Sequence, residues 1–198
     1  MRAMRPAVSL VILFTLALGL VLPTLVTGFA QLAFPFSANG SLIARHGQPI
    51  GSARIGQAIT GPGWFVPRPS ALTGTAPDGR SIATPYDAAQ SGASNLAPTS
   101  TALAAHVAAR IAAWHATYGA GPVPDDAVTS SGSGLDPDIS LANALRQAPV
   151  VAAARHLPPD TVIALVRRLA ARPWLGLIGT AHVNVLRLDI ALARAAAR

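Results

Sequence analysis

The chain opens with a long apolar segment that contains no charged side chain. Residues 7–26 read AVSLVILFTLALGLVLPTLV, which is 20 residues without a charge. At a helical rise of about 1.5 Å per residue, this segment spans about 30 Å, the thickness of the hydrocarbon core of a bilayer. The pattern predicts one transmembrane helix, placed at residues 7–28, followed by a single water-facing domain at residues 31–198.

The charges that flank this helix indicate which way it crosses the membrane. Arg2 and Arg5 precede it, and the next charged residue is Arg45. Because short segments rich in Lys and Arg stay in the cytoplasm, residues 1–6 are predicted to be cytoplasmic and the domain extracytoplasmic. The chain is therefore predicted to cross the cell membrane once.

A cleavable signal peptide is the alternative interpretation of the same segment. Basic residues, an apolar run and small side chains at Gly28 and Ala30 also match a signal peptide with a cleavage site. The apolar run exceeds the usual length of about 7–15 residues, which favours a retained anchor. A cleaved chain would instead be a secreted binding module.

The polar pattern changes character twice beyond the helix. Up to about residue 99 the chain is rich in Gly, Pro, Ser and Asn, and its short apolar runs at 53–59 and 63–66 predict strands and turns. After that point Ala-rich stretches with helical spacing predominate. Strands first and helices later predict an α+β extracytoplasmic domain.

Helices are predicted from the apolar spacing of the second half. One is expected at 101–118, ended by Gly119, and another at 159–171. A third helix begins after the capping residue Ser140, and Pro149 is expected to interrupt or restart it. A strand is predicted at 183–188, followed by a short Ala/Arg helix at the C-terminus.

Composition excludes several function classes. The net charge of +7 comes from Arg alone, because the chain has neither Lys nor Glu, a usage typical of a GC-rich bacterial genome. The arginines are scattered, with only Arg167 and Arg168 adjacent, whereas nucleic-acid binding needs a clustered basic surface. No nucleic-acid partner is predicted. The absence of Cys excludes disulfides, thiolate catalysis and Cys-ligated zinc.

Two loops rich in Ser and Gly, at 91–95 and 130–134, are the candidates for binding a phosphate-bearing cofactor. Backbone N–H groups of such loops can bind anions, but a Walker A loop requires a Lys that the chain lacks. A turn that bonds its own backbone is the favoured interpretation. The candidate cofactor-binding residues are Ser91, Gly92, Ser94, Asn95, Ser131, Gly132, Ser133 and Gly134.

Half of the acidic residues fall within fourteen positions, at Asp125, Asp126, Asp136 and Asp138. Such a cluster can bind a hard cation or perform acid/base chemistry, but the EF-hand pattern is absent. Turn and helix-start roles are favoured.

No two of the five His residues lie three or four apart, so no helical metal pair exists. Neither catalytic nor metal-binding residues are predicted.

Six short phrases of polar and small residues follow the N-terminal helix in a fixed order. In chain order they are Pro35-x-x-Ala38-Asn39-Gly40-Ser41-Leu42, Gly51-Ser52 with Ile55-Gly56-Gln57, Phe65-x-x-Arg68-Pro69-Ser70-Ala71, Tyr86 with Ser91-Gly92-Ala93-Ser94-Asn95-Leu96-Ala97-Pro98-Thr99, Val128-Thr129-Ser130-Ser131-Gly132-Ser133-Gly134-Leu135-Asp136-Pro137-x-Ile139-Ser140, and Leu175-Gly176-x-x-Gly179 with Val183-Asn184-Val185-Leu186. Together they resemble the C subunit of the bacterial Kdp-type potassium-transporting ATPase.

The departures from this family's pattern are few. Ala93 and Ala97 stand where the family usually has Gly, and Asp138 stands where it has His. Val150 replaces a common Arg, and Asp189 replaces a usual Asn. These changes affect only those roles of the family that need a flexible loop at 91–99 or an imidazole at position 138.

The resemblance implies a non-catalytic accessory subunit of an ATP-driven, high-affinity potassium uptake complex. Its implied partners are a channel-like subunit that selects potassium and a P-type ATPase subunit that hydrolyses ATP, so the complex handles ATP and K⁺. The family is also described as a catalytic chaperone that raises the ATP affinity of the hydrolysing subunit. The predicted topology argues against direct ATP binding, because the Ser/Gly loops then lie outside the cell.

A membrane-anchored extracytoplasmic hydrolase that uses Ser and Asp residues is the rival hypothesis. It predicts turnover by the isolated chain and a Ser that a covalent probe labels.

For the accessory subunit, small and hydroxyl side chains in the helix favour close packing with partner helices and lipid. The candidate partner-interface residues are Gly19, Thr24, Gly28, Arg68, Asn95 and Asp136.

Overall fold

The computed structural model describes residues 3–196 and divides the chain into two compact units. The units are Met1–Ser52 and Ala53–Arg198. The basic residue Arg2, on which part of the predicted orientation rests, lies outside the described residues. This division does not mark the edge of a membrane. The predicted limits of the membrane helix, 7–28, and of the domain, 31–198, stay predictions.

The first unit consists of an apolar helix followed by a β-hairpin. Its elements are α1 (Met4–Leu16), a π-helical turn (Ala17–Val21), α2 (Leu22–Ala33), α3 (Pro35–Ala38), β1 (Leu42–Arg45) and β2 (Gln48–Ser52). The first three elements form one continuous helix, Met4–Ala33, of 30 residues with no buried side chain. This helix is long and apolar enough to cross a membrane, as the sequence predicts.

Pro23 lies inside this helix without ending it. Because Pro has no backbone N–H, it cannot donate to the carbonyl of Gly19, and the π-helical turn Ala17–Val21 precedes it. The hydroxyl of Thr24 lies 2.8 Å from the carbonyl oxygen of Leu20 and 2.9 Å from that of Val21. A side chain thus supplies donors where the helical ladder is irregular, as is common in membrane helices.

The second unit is α+β. Its elements are β3 (Thr73–Thr75), β4 (Ser81–Ala83), α4 (Thr101–Tyr118), α5 (Asp125–Val128), β5 (Asp138–Ser140), α6 (Leu141–Ala154), α7 (Pro159–Leu169), β6 (His182–Asn184) and α8 (Val185–Ala195). The strands form antiparallel pairs, β3 with β4 and β5 with β6. In the second pair Ile139 lies opposite Val183, and both are buried. The predicted fold class, one N-terminal helix plus an α+β domain, is confirmed.

The apolar core of this unit lies between the last three helices and the strands β5 and β6. Each helix turns one apolar stripe inward, because positions three or four apart share a face. In α7 this stripe includes Val162 and Val166, and in α8 it includes Leu188 and Leu192. Phe65, from the irregular segment before β3, completes the core and is fully buried.

The predicted helices are confirmed, with one correction at a helix end and one inside a helix. The helix at 101–118 is present with Ser100 as its cap, and α7 ends two residues before the predicted 171. Ser140 caps α6 by accepting a bond from the Asn143 N–H, but Pro149 does not interrupt that helix. Pro149 is exposed, and buried residues on the inner face hold the helix together across it.

The strand predicted at 183–188 is shorter than expected, and the strands expected at 53–59 and 63–66 are not formed. At 183–188 the chain is extended only to Asn184, whose side chain accepts a bond from the Arg187 N–H at 3.1 Å and so starts α8. The runs at 53–59 and 63–66 contain none of the named strands. In the second run, side chains replace a strand partner, because the backbone of Val66 bonds to Gln147 at 2.7 and 2.9 Å.

Candidate functional site

The two Ser/Gly loops, predicted separately from the sequence, lie against each other. The backbone N–H of Gly92 donates to the carbonyl of Ser133 at 2.9 Å, and the hydroxyl of Ser91 donates to the same oxygen at 3.3 Å. This contact joins positions about forty residues apart in the chain. The residues that the sequence singled out as possible cofactor ligands are therefore brought to one place.

The loop at 130–134 uses its hydroxyl groups to bond its own backbone. Ser131, which is buried, accepts from the Gly134 N–H at 2.9 Å, and Ser133 accepts from the Leu135 N–H at 3.1 Å. Gly134 has a φ of 69°, and a Cβ there would lie 2.7 Å from the side chain of Leu72. The geometry is that of a packed turn, as favoured from the sequence, in which Gly is required.

The other predicted members of this pair of loops lie at the surface. Ser94 and Asn95 are exposed, and Asn95 has a positive φ of 52°. Gly132 is also exposed, and a Cβ there would meet nothing within 4 Å. These positions are free of packing constraints within the described residues, unlike Ser131 and Gly134.

Arg68 and Asp136, both predicted as interface residues, form an ion pair beside the loops. Their side chains lie 3.0 Å apart and are about one-quarter exposed. The second carboxylate oxygen of Asp136 accepts from the Asp138 N–H at 3.1 Å, and the hydroxyl of Tyr86 donates to the Arg68 carbonyl at 2.6 Å. Burial, with the nearby carboxylate of Asp136, raises the pKa of Tyr86 above its usual range.

Gly56 holds a second phrase of the sequence against this ion pair. Its N–H donates to the carbonyl of Leu135 at 2.8 Å. A Cβ at this position would lie 2.6 Å from the carbonyl oxygen of Asp136 and would overlap the ring of Tyr86. Only Gly allows this approach, so four of the six phrases meet around Arg68, Tyr86 and Asp136.

Asp126 organises the start of α6. Its carboxylate accepts from the Ser140 N–H at 2.7 Å, from the Ser140 hydroxyl at 2.8 Å and from the Asn143 amide at 3.0 Å. Asp138 accepts from the Asn184 amide at 3.0 Å. These bonds agree with structural roles for the acidic cluster. Among residues 3–196, no group of three His, Asp or Glu side chains is arranged to hold a metal ion.

An apolar groove that sequence reasoning missed runs along α4. It has a volume of about 570 Å³ and is lined by aromatic and proline side chains, including Tyr86, Trp114, Tyr118, Pro67 and Pro69. The rings of Trp114 and Tyr118 are 4.2 Å apart between centroids. The helical spacing of the two aromatics is visible in the sequence. The sequence does not show that the segment at 58–70 packs beside them.

A buried carboxyl group, Asp189, lies on α8 and was noted from the sequence only as a departure from the family. One oxygen accepts from the Phe65 N–H at 3.1 Å, and the other has no hydrogen-bond partner among the described residues. Burial raises the pKa of Asp189 to about 7, although the Phe65 bond and the charge of Arg155 act in the opposite direction. The carboxyl thus joins α8 to the irregular segment.

The helix positions predicted to face partners behave differently from one another. Gly19 and Gly28 have open space where a Cβ would be. Thr24 donates its hydroxyl back into its own helix, so that proton is already bonded. The helix also continues without a break through Gly28 and Ala30 to Ala33.

An apolar helix long enough to span a membrane, followed by an α+β unit with internally bonded polar loops, is the architecture of a membrane-anchored protein. The family model described as "K+-transporting ATPase, c chain" matches residues 4–194. The chain belongs to this family, KdpC, and is an accessory subunit of the potassium-transporting ATPase complex.

Curated relatives match over almost their whole length. A potassium-transporting ATPase KdpC subunit from Allorhizobium ampelinum is 46% identical over 194 residues, which is 98% of this chain and 97% of the relative. Proteins of the same description from Methylobacterium nodulans and Polaromonas naphthalenivorans are 48% and 49% identical over 191 residues. These two matches cover 96% of this chain and 95% and 93% of the relatives. The resemblance inferred from the six phrases is confirmed.

Proposed function

We propose that this chain is a non-catalytic subunit whose extracytoplasmic domain helps to assemble an ATP-driven potassium uptake complex. The observation that carries the proposal is the internal bonding of the polar phrases around Arg68, Tyr86 and Asp136. Side chains that could have served a catalytic site instead hold backbone segments together, as Ser131 and Asp126 do. Such an arrangement favours a rigid contact surface over a reaction centre.

The partners of this surface are a channel-like subunit that selects potassium and a P-type subunit that hydrolyses ATP. In the membrane, the open positions at Gly19 and Gly28 allow a neighbouring helix to approach closely. In the domain, the exposed Asn95 and the partly exposed pair Arg68 and Asp136 present polar groups beside the joined loops. These residues are the proposed contacts.

Any effect of this subunit on the ATP affinity of the complex is proposed to be indirect. In the loop at 130–134, the backbone N–H groups of Gly134 and Leu135 donate to the hydroxyl oxygens of Ser131 and Ser133. Because these N–H groups are already bonded, they are not directed at a phosphate. The orientation inferred from the flanking charges also places the loops away from cytoplasmic ATP. A change in nucleotide affinity then requires a conformational equilibrium in the hydrolysing subunit that this chain biases.

Purification of a C-terminally tagged chain in mild detergent tests the proposal. Two large polytopic subunits should co-purify, and the eluate should hydrolyse ATP faster when potassium is added. Recovery of a lone chain would overturn the assembly role. Turnover by the isolated chain, with covalent labelling of a Ser by a hydrolase probe, would instead establish the rival hydrolase.

Two Gly→Ala variants make this test specific for the surface around Arg68, Tyr86 and Asp136. Gly56→Ala introduces a Cβ that meets backbone, whereas Gly132→Ala introduces one that meets nothing within 4 Å. We expect the first variant to lose most of the co-purifying subunits and the second to retain them. Equal retention by both would contradict a role for this surface.

A further inference from the structure

A short hairpin between α7 and α8 projects apolar side chains into solvent. Its two ends meet at Ala171 and His182, whose backbones bond at 2.9 and 3.3 Å. A second bridge joins Trp174 and Ile178 at 2.9 and 3.1 Å. We call the four large apolar residues beyond the first bridge the apolar tip: Trp174, Leu175, Leu177 and Ile178.

The apolar tip is the most exposed set of large apolar side chains among the described residues of the second unit. Its residues are 66%, 73%, 86% and 63% exposed in chain order, whereas Ile82 and Trp64 reach only 45% and 37%. Single exposed apolar residues are ordinary, but four together at the end of one hairpin mark an interaction site.

The backbone of the tip is ordered, so this exposure is built into the fold. Besides the bridge, Gly176 N–H donates to the Pro173 carbonyl at 3.0 Å and Leu177 N–H donates to the Trp174 carbonyl at 3.0 Å. Gly176 has a φ of 73°, a value that Gly adopts without strain. The turn therefore holds its side chains outward rather than folding them back onto the core.

Along the chain the charges that flank the tip are basic, although the carboxylate of Asp138 lies 3.8 Å from Nε2 of His182 at the base of the hairpin. Between Asp160 and Asp189 the chain has no acidic residue, and it carries four arginines, at 167, 168, 172 and 187. All four are exposed, and Arg172 lies two residues before the tip. A basic flank around Trp and aliphatic side chains is the composition of segments that lie in the headgroup region of a bilayer.

We infer that the apolar tip inserts into the interface of the lipid bilayer to which the chain is anchored. The chain carries a helix long and apolar enough to span a membrane, and a retained span keeps the second unit near a bilayer surface. Trp and the aliphatic side chains enter the boundary between headgroups and acyl chains, and the arginines contact anionic headgroups. The inference rests on the membrane anchor and not on the proposed role in assembly.

Site-specific fluorescence on the full chain tests this inference, and the absence of Cys makes the labelling selective. The full chain with Leu177→Cys, labelled with an environment-sensitive dye, is reconstituted into phosphatidylcholine vesicles with and without phosphatidylglycerol. Ala88→Cys, at an exposed position remote in sequence, is the matched control. We expect a blue-shifted emission for the label at 177 alone, quenching by lipids with a headgroup nitroxide, and stronger effects with the anionic lipid.

A second measurement uses the unlabelled protein. Brominated lipids should quench part of the intrinsic Trp fluorescence of the full chain, and Trp174→Phe should remove that quenched part. A label at 177 that keeps a water-exposed emission and is not quenched by lipid would overturn the inference. Shielding of the label only after other subunits of the complex are added would also overturn it, because the tip would then contact protein.

Discussion

Two parts of the second unit are held together in different ways. The helical core, formed by α6, α7 and α8, packs apolar stripes such as Val166 and Leu188 against one another. The irregular arm, residues 53–99, has only the short pair β3 and β4 as regular structure, and it is joined to the rest by the buried ring of Phe65 and by individual polar bonds. Examples are the bonds from Phe65 to Asp189 and from Val66 to Gln147.

The difference teaches where stability and function reside in this protein. Apolar packing tolerates many residue choices, because any side chain of suitable size fills the space. The polar bonds of the irregular arm each need one residue type at one position, since a buried group without its partner is costly. Each of the six phrases that carry the family resemblance includes a residue that makes a polar bond, namely Asn39, Ser52, Arg68, Tyr86, Ser131 and Asn184 in chain order. The following variants test that division.

The largest effect is expected from truncating the helical core. Leu188 is fully buried, and Leu188→Ala should lower the free energy of unfolding by about 2–5 kcal/mol through lost burial and the cavity left behind. Chemical denaturation of the full chain in detergent, followed by circular dichroism, measures it. Leu177→Ala removes the same atoms from an exposed position and should change stability by less than about 0.5 kcal/mol.

The next effect concerns pH and the bond between the two parts. Because burial raises the pKa of Asp189 to about 7, the folded state binds a proton more tightly than the unfolded state, whose carboxyl titrates near pH 4. This contribution is therefore complete below about pH 4, is lost as the pH rises to about 7 and is constant above. The loss amounts to at most about 4 kcal/mol.

Asp189→Asn checks this assignment. Asn cannot titrate, so the variant should show no such fall in stability between about pH 4 and pH 7. Denaturation midpoints of both proteins across this range give the comparison. An unchanged pH profile in the variant would show that another group is responsible.

Asp126 tests a polar bond network within the unit. Asp126→Ala removes a carboxylate that accepts three hydrogen bonds and should cost about 2–3 kcal/mol of unfolding free energy. The control is Asp125→Ala, which removes an adjacent carboxylate of the same charge and should cost less than about 1 kcal/mol. Similar losses for both variants would mean that charge, and not the bonding of Asp126, stabilises the start of α6.

The ion pair between Arg68 and Asp136 should contribute less. Its groups are about one-quarter exposed, so water screens part of their attraction. A double-mutant cycle with Arg68→Ala and Asp136→Ala should give a coupling free energy of about 1 kcal/mol, reduced by added salt. A coupling free energy near zero would show that the pair does not contribute to the stability of the unit.

The smallest effects separate the two Ser/Gly loops. Ser131→Ala removes the buried acceptor of the Gly134 N–H and should cost about 1 kcal/mol. Ser91→Ala removes an exposed hydroxyl with a long 3.3 Å bond and should cost less than about 0.5 kcal/mol. Thermal denaturation resolves the order of the two, and the reverse order would contradict the packing described for these loops.

Most helices of the second unit were predictable from sequence, and much of the irregular arm was not. Helical periodicity is local, so α4, α7 and the cap at Ser140 follow from neighbouring residues. The run at 63–66 looked like a strand because an apolar run is ambiguous, and the partners of its backbone are side chains on α6 and α8 about eighty or more positions away. Asn184 likewise ended a strand early by capping a helix.

The candidate site was predicted as residues but not as an arrangement. Sequence reasoning named Arg68, Asp136 and both Ser/Gly loops, and it favoured turns over a phosphate cradle for those loops. It could not show that the loops touch, since the bond from Gly92 to Ser133 depends on the whole fold. The groove along α4 was missed for the same reason.

We propose that the joined Ser/Gly loops are a scaffold and not a nucleotide site. Equilibrium binding of labelled ATP to the purified full chain in detergent tests it most directly, with Ser131→Ala and Ser133→Ala measured alongside. The account predicts no saturable binding by any of the three proteins. Saturable binding by the unmodified chain that both substitutions weaken would contradict it.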